Sequence, residues 1–302
     1  MSRQLTSLLL AISVFLGVAL PEIARLAKPL LMPSIFVIMV VALTTIDVTS
    51  IRGALRRTRT LFGVCAWQLA AFPLVAALAC ALLPVPDGIR VAMIASACAG
   101  PIFSSPAFAR MFGLDDAFMT AVVVMTTILM PLPLLGYSYL LLGVRLELDV
   151  GEFLWRLLVF IVLPFAIATA IRRCLEPADL IRATPLLAWI VLGGLAVFAL
   201  AVMDGVTARF LEAPALVVGF LVAAFTLNVT SQMITAGVFW WAGPSIAWTA
   251  ALAAGYRNMA LVLALSGGIL GSDFQIYVGI AQIPMYVLPL VLTPLYRRLV
   301  PN

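Results

Sequence analysis

Ala253-Ala254-Gly255-Tyr256-Arg257-Asn258-Met259-Ala260 sets an arginine inside an apolar run that extends from Thr249 to Gly267 and holds no acidic residue. A guanidinium near the middle of a bilayer costs about 2.5–3.5 kcal/mol on translocon scales, so such residues face a bundle interior or a wet cavity and mark a ligand path. The run therefore reads as a membrane span interrupted at a binding site. Arg257 reads as a fixed positive charge within that site.

The rest of the chain fits this reading. Hydrophobic residues make up 64% of the 302 residues and charged residues only 10%, against about 25% charged in soluble domains. Segments of roughly 20 apolar residues cross the hydrocarbon layer as helices. About ten are expected here: Leu5–Leu20, Pro29–Ile46, Leu61–Leu83, Ile89–Phe112, Phe118–Leu142, Phe153–Ile171, Pro185–Met203, Ala213–Trp241, Ser245–Leu270 and Phe274–Tyr296. The expected fold class is an all-α membrane protein, a single transporter domain over 1–302.

A net charge of +5 does not imply a nucleic-acid partner, because the arginines sit in short loops and obey the positive-inside rule. With the N-terminus inside, Arg3, Arg52, Arg56, Arg57, Arg59, Arg110, Arg172, Arg173, Arg182, Arg297 and Arg298 are cytoplasmic. Arg25, Lys28, Arg90, Arg145, Arg156 and Arg209 fall on the other side. The expected location is a bacterial inner (plasma) membrane with both termini cytoplasmic. Met1–Pro21 is like a signal peptide but has no clean small-x-small cleavage site, and is expected to be retained as the first span. Cys65, Cys80 and Cys98 lie within spans and Cys174 in a loop, which is no disulfide framework.

A second interruption echoes the first. Ala99-Gly100-Pro101-Ile102-Phe103-Ser104-Ser105-Pro106 breaks the fourth span as Ala254–Asn258 breaks the ninth. Each break leads to a polar turn, Gly113-Leu114-Asp115-Asp116 and Gly271-Ser272-Asp273, and then to a proline-rich span. Five spans per half, an odd number, require inverted repeats over approximately 1–146 and 147–302. Broken helices at matching places in inverted halves point to a midplane site. Pro101 and Pro106 each remove a donor and disturb the preceding turn. Gly255 and Asn258 are the permissive residues of the second break. Freed backbone groups in hydrocarbon must line a cavity or be buried against protein, so the two breaks, including Gly100, Pro101, Pro106, Gly255 and Tyr256, are expected to cross.

At these residues the chain resembles the bile acid/sodium symporter family. The landmarks are Gln68-Leu69-Ala70-Ala71-Phe72-Pro73, the Gly100-Pro101 break, the run Asp116–Pro131 ending in Thr126-Thr127-Ile128-Leu129-Met130-Pro131, and the stretch Ala253–Ala260. The resemblance implies two inverted five-helix repeats with helices crossing at unwound middles. It also implies two sodium ions held by a glutamate and a glutamine of the ninth span, an asparagine and hydroxyls beside the fourth-span break, and a glutamine of the third span. In this chain Ala253 stands at the glutamate and Arg257 at the glutamine. Pro106 and Ala107 stand near the serine and asparagine, and Val123 at a hydroxyl; Gln68 and Asn258 match.

Alanine, proline and valine side chains offer no oxygen to a hard cation, so the expected function is sodium-independent secondary transport of an organic anion by alternating access. Arg257 then supplies the sodium charge at the carbonyl ends of the crossover, or meets the anion directly. The alternative is that it snorkels or pairs with Asp116 or Asp204. With no histidine in the chain and Asp47, Asp116 and Asp204 near span boundaries, no proton site stands out. The candidate substrate-binding residues are Ser104, Ser105, Arg257, Asn258, Asn228 and Gln68. Asn228 and Gln232, one turn apart, either line the cavity or bond between helices. Trp240, Trp241 and Trp248 read as an interfacial belt, and Met119, Met125 and Met130 as core filler.

No cofactor or metal is expected; the expected partners are a small organic anion and the lipid bilayer, with oligomeric state open. An enzyme is disfavoured, since no serine–base or paired intramembrane carboxylate arrangement is present. An arsenite or metalloid efflux carrier, suggested by Cys98, and a ligand-sensing receptor are the alternatives.

Overall fold

A computed structural model describes residues 3–46, 51, 53–141 and 150–299. Asp47, Arg52, Arg145 and the junction between the two expected halves lie outside the described residues. Those described are helical apart from short turns and one isolated backbone pairing.

Among the described residues five helices are long and apolar enough to cross a membrane: Pro21–Thr45, Leu55–Leu82, Gly151–Cys174, Ala178–Glu212 and Pro214–Val238. Asp116–Leu129 and Pro131–Tyr137 make a sixth if the pair, bent by 54° at its proline, is one span. Two expected spans differ in kind: the fourth is Asp87–Ala97 and then Ser105–Phe112, and the ninth is Pro244–Gly255 and then Met259–Ser266. Each piece is too short to cross alone. Arg3–Ala19 is also short, at 17 residues.

Proline shapes two helices without breaking them. Pro73 has no N–H, and its ring crowds the carbonyl four residues back, so the preceding turn widens to five residues and Phe72 N–H donates to Trp67 O. Before Pro164 the same happens, with Leu163 N–H donating to Leu158 O.

The chain forms two compact units, each drawing on both expected halves. One comprises Met1–Ile46, Leu148–Leu221 and Leu263–Tyr286. Within it Pro177–Ala201 packs on Leu31–Thr45 and Arg3–Ala19, and glycine permits close approach. A Cβ on Gly194 would lie 2.8 Å from Ile38 Cγ1, and one on Gly17 2.7 Å from Met203 Cβ. Arg172 donates to the carbonyls of Leu43, Thr44 and Ile46 at the end of Leu31–Thr45. Lys28 pairs with Asp204 at 2.7 Å and Arg209 with Asp273 at 2.9 Å.

The other unit comprises Asp47–Glu147, Val222–Val262 and Val287–Asn302, and holds both breaks. In it Asp116–Leu129 packs on Ser105–Phe112 and Pro244–Gly255. Asp115 caps Asp116–Leu129 by accepting from Phe118 N–H at 2.8 Å, while its other oxygen lies 3.2 Å from Arg57.

Candidate functional site

The two breaks cross within this second unit. Asn258 N–H donates to Gly100 O at 2.7 Å and Ile102 N–H to Tyr256 O at 2.8 Å, so Pro101 and Arg257 stand opposite each other as an antiparallel pair. Backbone freed from a helix in apolar surroundings must find partners. Here each broken strand supplies the other. Pro101 sits where no donor is needed, and Pro106 lies in the first turn of Ser105–Phe112, where a missing N–H costs little.

Arg257 is 3% exposed. Its Nη1 donates to Ala97 O at 2.6 Å and Ala99 O at 3.1 Å. These carbonyls end the Asp87–Ala97 helix, where the peptide dipoles sum to partial negative charge. The guanidinium carbon lies 4.5 Å from the centroid of the Phe72 ring, a separation at which the ring's quadrupole attracts a cation. Phe72 follows the widened turn before Pro73, so one proline in the third expected span shapes the backbone that presents an aromatic face to the charge. Asp116 pairs with Arg110 at 2.6 Å, and Asp204 with Lys28.

The other candidate residues divide by what they touch. Gln68 is fully buried; its Nε2 donates to Ala250 O at 3.4 Å, and its Oε1 has no hydrogen-bond partner among the described residues. Asn258 turns its side-chain oxygen to Leu261 N–H at 3.2 Å and caps Met259–Ser266. Ser105 is buried with its hydroxyl unpartnered among the described residues, whereas Ser104 is half-buried. Tyr256 is buried, with its ring 5.3 Å from that of Phe108.

Asn228 bonds between helices. Its Nδ2 donates to Gly255 O at 2.7 Å, and its Oδ1 accepts from Gln232 Nε2 at 2.6 Å. Both polar ends of Asn228 are therefore engaged within the protein. Ser231 Oγ lies 3.0 Å from Ala254 O.

One sequence expectation changes, that of the tryptophans. Neither Gly255 nor Asn258, the permissive residues of the second break, adopts left-handed backbone, and Gly100 does not either. The glycines serve close approach instead: a Cβ on Gly100 would lie 2.6 Å from Thr126 Oγ1, and one on Gly255 2.5 Å from Gln232 Nε2. Trp240 and Trp241 are exposed, but Trp248 is buried edge-on to Tyr296, at 5.5 Å between centroids, and does not join a belt with them. Met119 and Met130 are fully buried in the core. Cys98, also buried, lies between the two residues whose carbonyls meet Arg257. Among the described residues no group of three or more histidine, cysteine or acidic side chains is placed to hold a metal ion.

Sequence reading missed Phe72, Thr126, Ser231 and Tyr296. Phe72 and Thr126 lie inside landmark motifs, a signal that was present. Tyr296 carried none, because only packing brings it to Gln232, 64 residues away.

A family model described as the Sodium Bile acid symporter family matches residues 32–213, more than half of the chain. The matched stretch contains Gln68, Gly100-Pro101 and the run to Pro131, and it ends before Arg257. None of the curated proteins searched matches the chain.

Proposed function

Because the chain belongs to the sodium bile acid symporter family, a family of membrane transporters for small-molecule substrates, we propose that it carries an organic anion by alternating access without sodium, Arg257 serving as a permanently bound cation. The observation that supports this is the seat of the guanidinium on the Ala97 and Ala99 carbonyls. A sodium ion does comparable work at such carbonyl ends, and arginine does not deprotonate.

The consequence for coupling is physical. A symporter draws work from an ion that binds on one side and leaves on the other. A charge attached covalently never leaves. The empty carrier is then always in its cation-filled form and free to reorient, which gives equilibrative transport or anion exchange rather than sodium-driven accumulation.

In the same reading the chain has ten spans in inverted repeats of about 1–146 and 147–302, both termini face the cytoplasm of a bacterial inner membrane, and the anion meets the half-helix ends near Ser104 and Ser105. Ion pairs within each unit support the grouping of loops: Lys28 with Asp204 and Arg209 with Asp273 on one expected side, and Arg57 with Asp115 on the other. Among the described residues, Gln68 Oε1, Ser105 Oγ, Trp248 Nε1 and Tyr256 Oη are buried atoms of this unit without a hydrogen-bond partner, and the first two are the ones proposed to meet the ligand. Arg257 acts through the backbone it neutralises.

The test is uptake of a panel of radiolabelled organic anions into proteoliposomes in sodium, in choline and under an imposed pH gradient, for wild type and Arg257→Gln. Equal wild-type uptake in sodium and choline is expected, with Arg257→Gln inactive or newly sodium-dependent. Strict dependence of wild-type uptake on sodium overturns the proposal.

A further inference from the structure

The second broken end is held by a different device. Where Pro244–Gly255 stops, the carbonyls of Ala254 and Gly255 face the Pro214–Val238 helix. Ser231 Oγ shares its one hydrogen between the first and Asn228 O, each at 3.0 Å, and Asn228 Nδ2 donates to the second at 2.7 Å. Asn228 Oδ1 accepts from Gln232 Nε2 at 2.6 Å, and Gln232 Oε1 accepts from the Tyr296 hydroxyl. Gln232 and Tyr296 are almost completely buried, at 1% and 2% exposure. Phe112 stacks on the Tyr296 ring at 4.7 Å and Trp248 meets it edge-on.

The sense of this chain of bonds is set at its inner end. A backbone carbonyl only accepts, so Asn228 must present its NH2 to Gly255. Its oxygen then faces Gln232, which must present NH2 in turn, and the Gln232 oxygen is left toward a hydroxyl that donates. Each bond polarises the next, so the terminal donor strengthens the grip on the carbonyl at the far end. Gly255 leaves room for the relay, since any Cβ there would strike the Gln232 amide.

We infer that Asn228, Ser231, Gln232 and Tyr296 are positioning residues. Through the Ala254 and Gly255 carbonyls they hold the Tyr256–Asn258 strand against Gly100 and Ile102, and Tyr296 is the terminal donor of the relay. This rests on the proposed role of Arg257 only in that the positioned strand carries Arg257. The two breaks are then both closed without a bound ion, one by a charge and one by neutral dipoles.

The test is amide hydrogen exchange of the full-length protein in nanodiscs, followed by mass spectrometry. In Tyr296→Phe, exchange in peptides covering 254–262 and 100–104 is expected to rise about tenfold over wild type, the change that one lost hydrogen bond produces in a local opening equilibrium. Exchange in Leu31–Thr45, in the other unit, is expected to stay unchanged. No rise at the crossing, or an equal rise throughout, overturns the inference.

Gln232→Glu is the second variant, and it separates positioning from packing. A neutral carboxyl reproduces the pattern, with its O–H donating to Asn228 and its C=O accepting from Tyr296; a carboxylate cannot donate. Protection at the crossing should therefore match wild type at about pH 5, with the carboxyl protonated, and be lost by about pH 9, with it ionised, each compared with wild type at the same pH. Lost protection at both pH values, or wild-type protection at both, overturns the relay. These readings are independent of salt, so sodium-dependent uptake would remove the proposed function and leave the relay standing.

Discussion

The two interrupted segments reach the same backbone state by opposite routes. Ala99–Pro106 contains two prolines, and its helix end is met by a guanidinium from the facing strand. Ala254–Asn258 contains none, and its helix end is met by the neutral amide and hydroxyl of Asn228 and Ser231. One break is written into local stereochemistry. The other exists because partners elsewhere in the fold take up its carbonyls, and because the first break offers Gly100 O and Ile102 N–H to pair with. An unwound stretch in a membrane therefore does not need an intrinsic helix breaker, provided that every freed group is received.

The largest expected effect comes from removing the charged device. Arg257→Met leaves the Ala97 and Ala99 carbonyls without that donor at about 1–3 kcal/mol each, partly offset by the recovered desolvation of the guanidinium. Thermal unfolding in detergent should show a loss of several degrees. An unchanged melting temperature would mean that the charge is not what holds the first break.

Next come the glycines. Gly100→Ala and Gly255→Ala each force a methyl against a neighbouring side chain, Thr126 or Gln232, at about 1–3 kcal/mol for overpacking. Gly255→Ala should in addition raise amide exchange at the crossing, since it displaces the relay, whereas pairing Gly100→Ala with Thr126→Ala, which removes the Oγ1 nearest the new methyl, should restore part of its loss. The same melting and exchange measurements check both.

A peptide comparison sharpens the contrast in local stereochemistry. In micelles, residues 244–266 taken alone should form one continuous helix by NMR, because no proline interrupts them. Residues 87–112 should stay broken at Pro101. A broken 244–266 peptide would move the cause of the second break back into its own sequence.

The smallest expected effect is at Phe72. Phe72→Leu keeps an apolar surface under Arg257 but removes the ring quadrupole, which contributes about 0.5–2 kcal/mol depending on desolvation. A melting shift smaller than that of Arg257→Met should follow.

The site was partly legible because some of its physics is local. Arg257 in an acid-free apolar run, and Pro101 beside Gly100, announce a cost and a break from neighbouring residues alone. The reasons for Gly100 and Gly255 were not legible, since a close approach to Thr126 or Gln232 depends on which helices become neighbours. Trp248 misled because a tryptophan near a span end suits an interface equally well as a buried ring stack. Asn228 was open between two roles because an amide on a helix face has the same sequence signature whether it meets a ligand or a carbonyl.

The chain by itself determined that this is an α-helical membrane protein, that its charge had to be sheltered, and that the segment at Pro101 had to unwind. These follow from composition, from the cost of a guanidinium in hydrocarbon and from the missing N–H of proline. Tertiary structure alone decided where the second helix stops, that Arg257 meets the Ala97 and Ala99 carbonyls over Phe72, and that Tyr296 closes a relay to Gly255. Hydrogen bonds between residues 64 to 160 positions apart are selected by packing, and no periodicity within either segment encodes them.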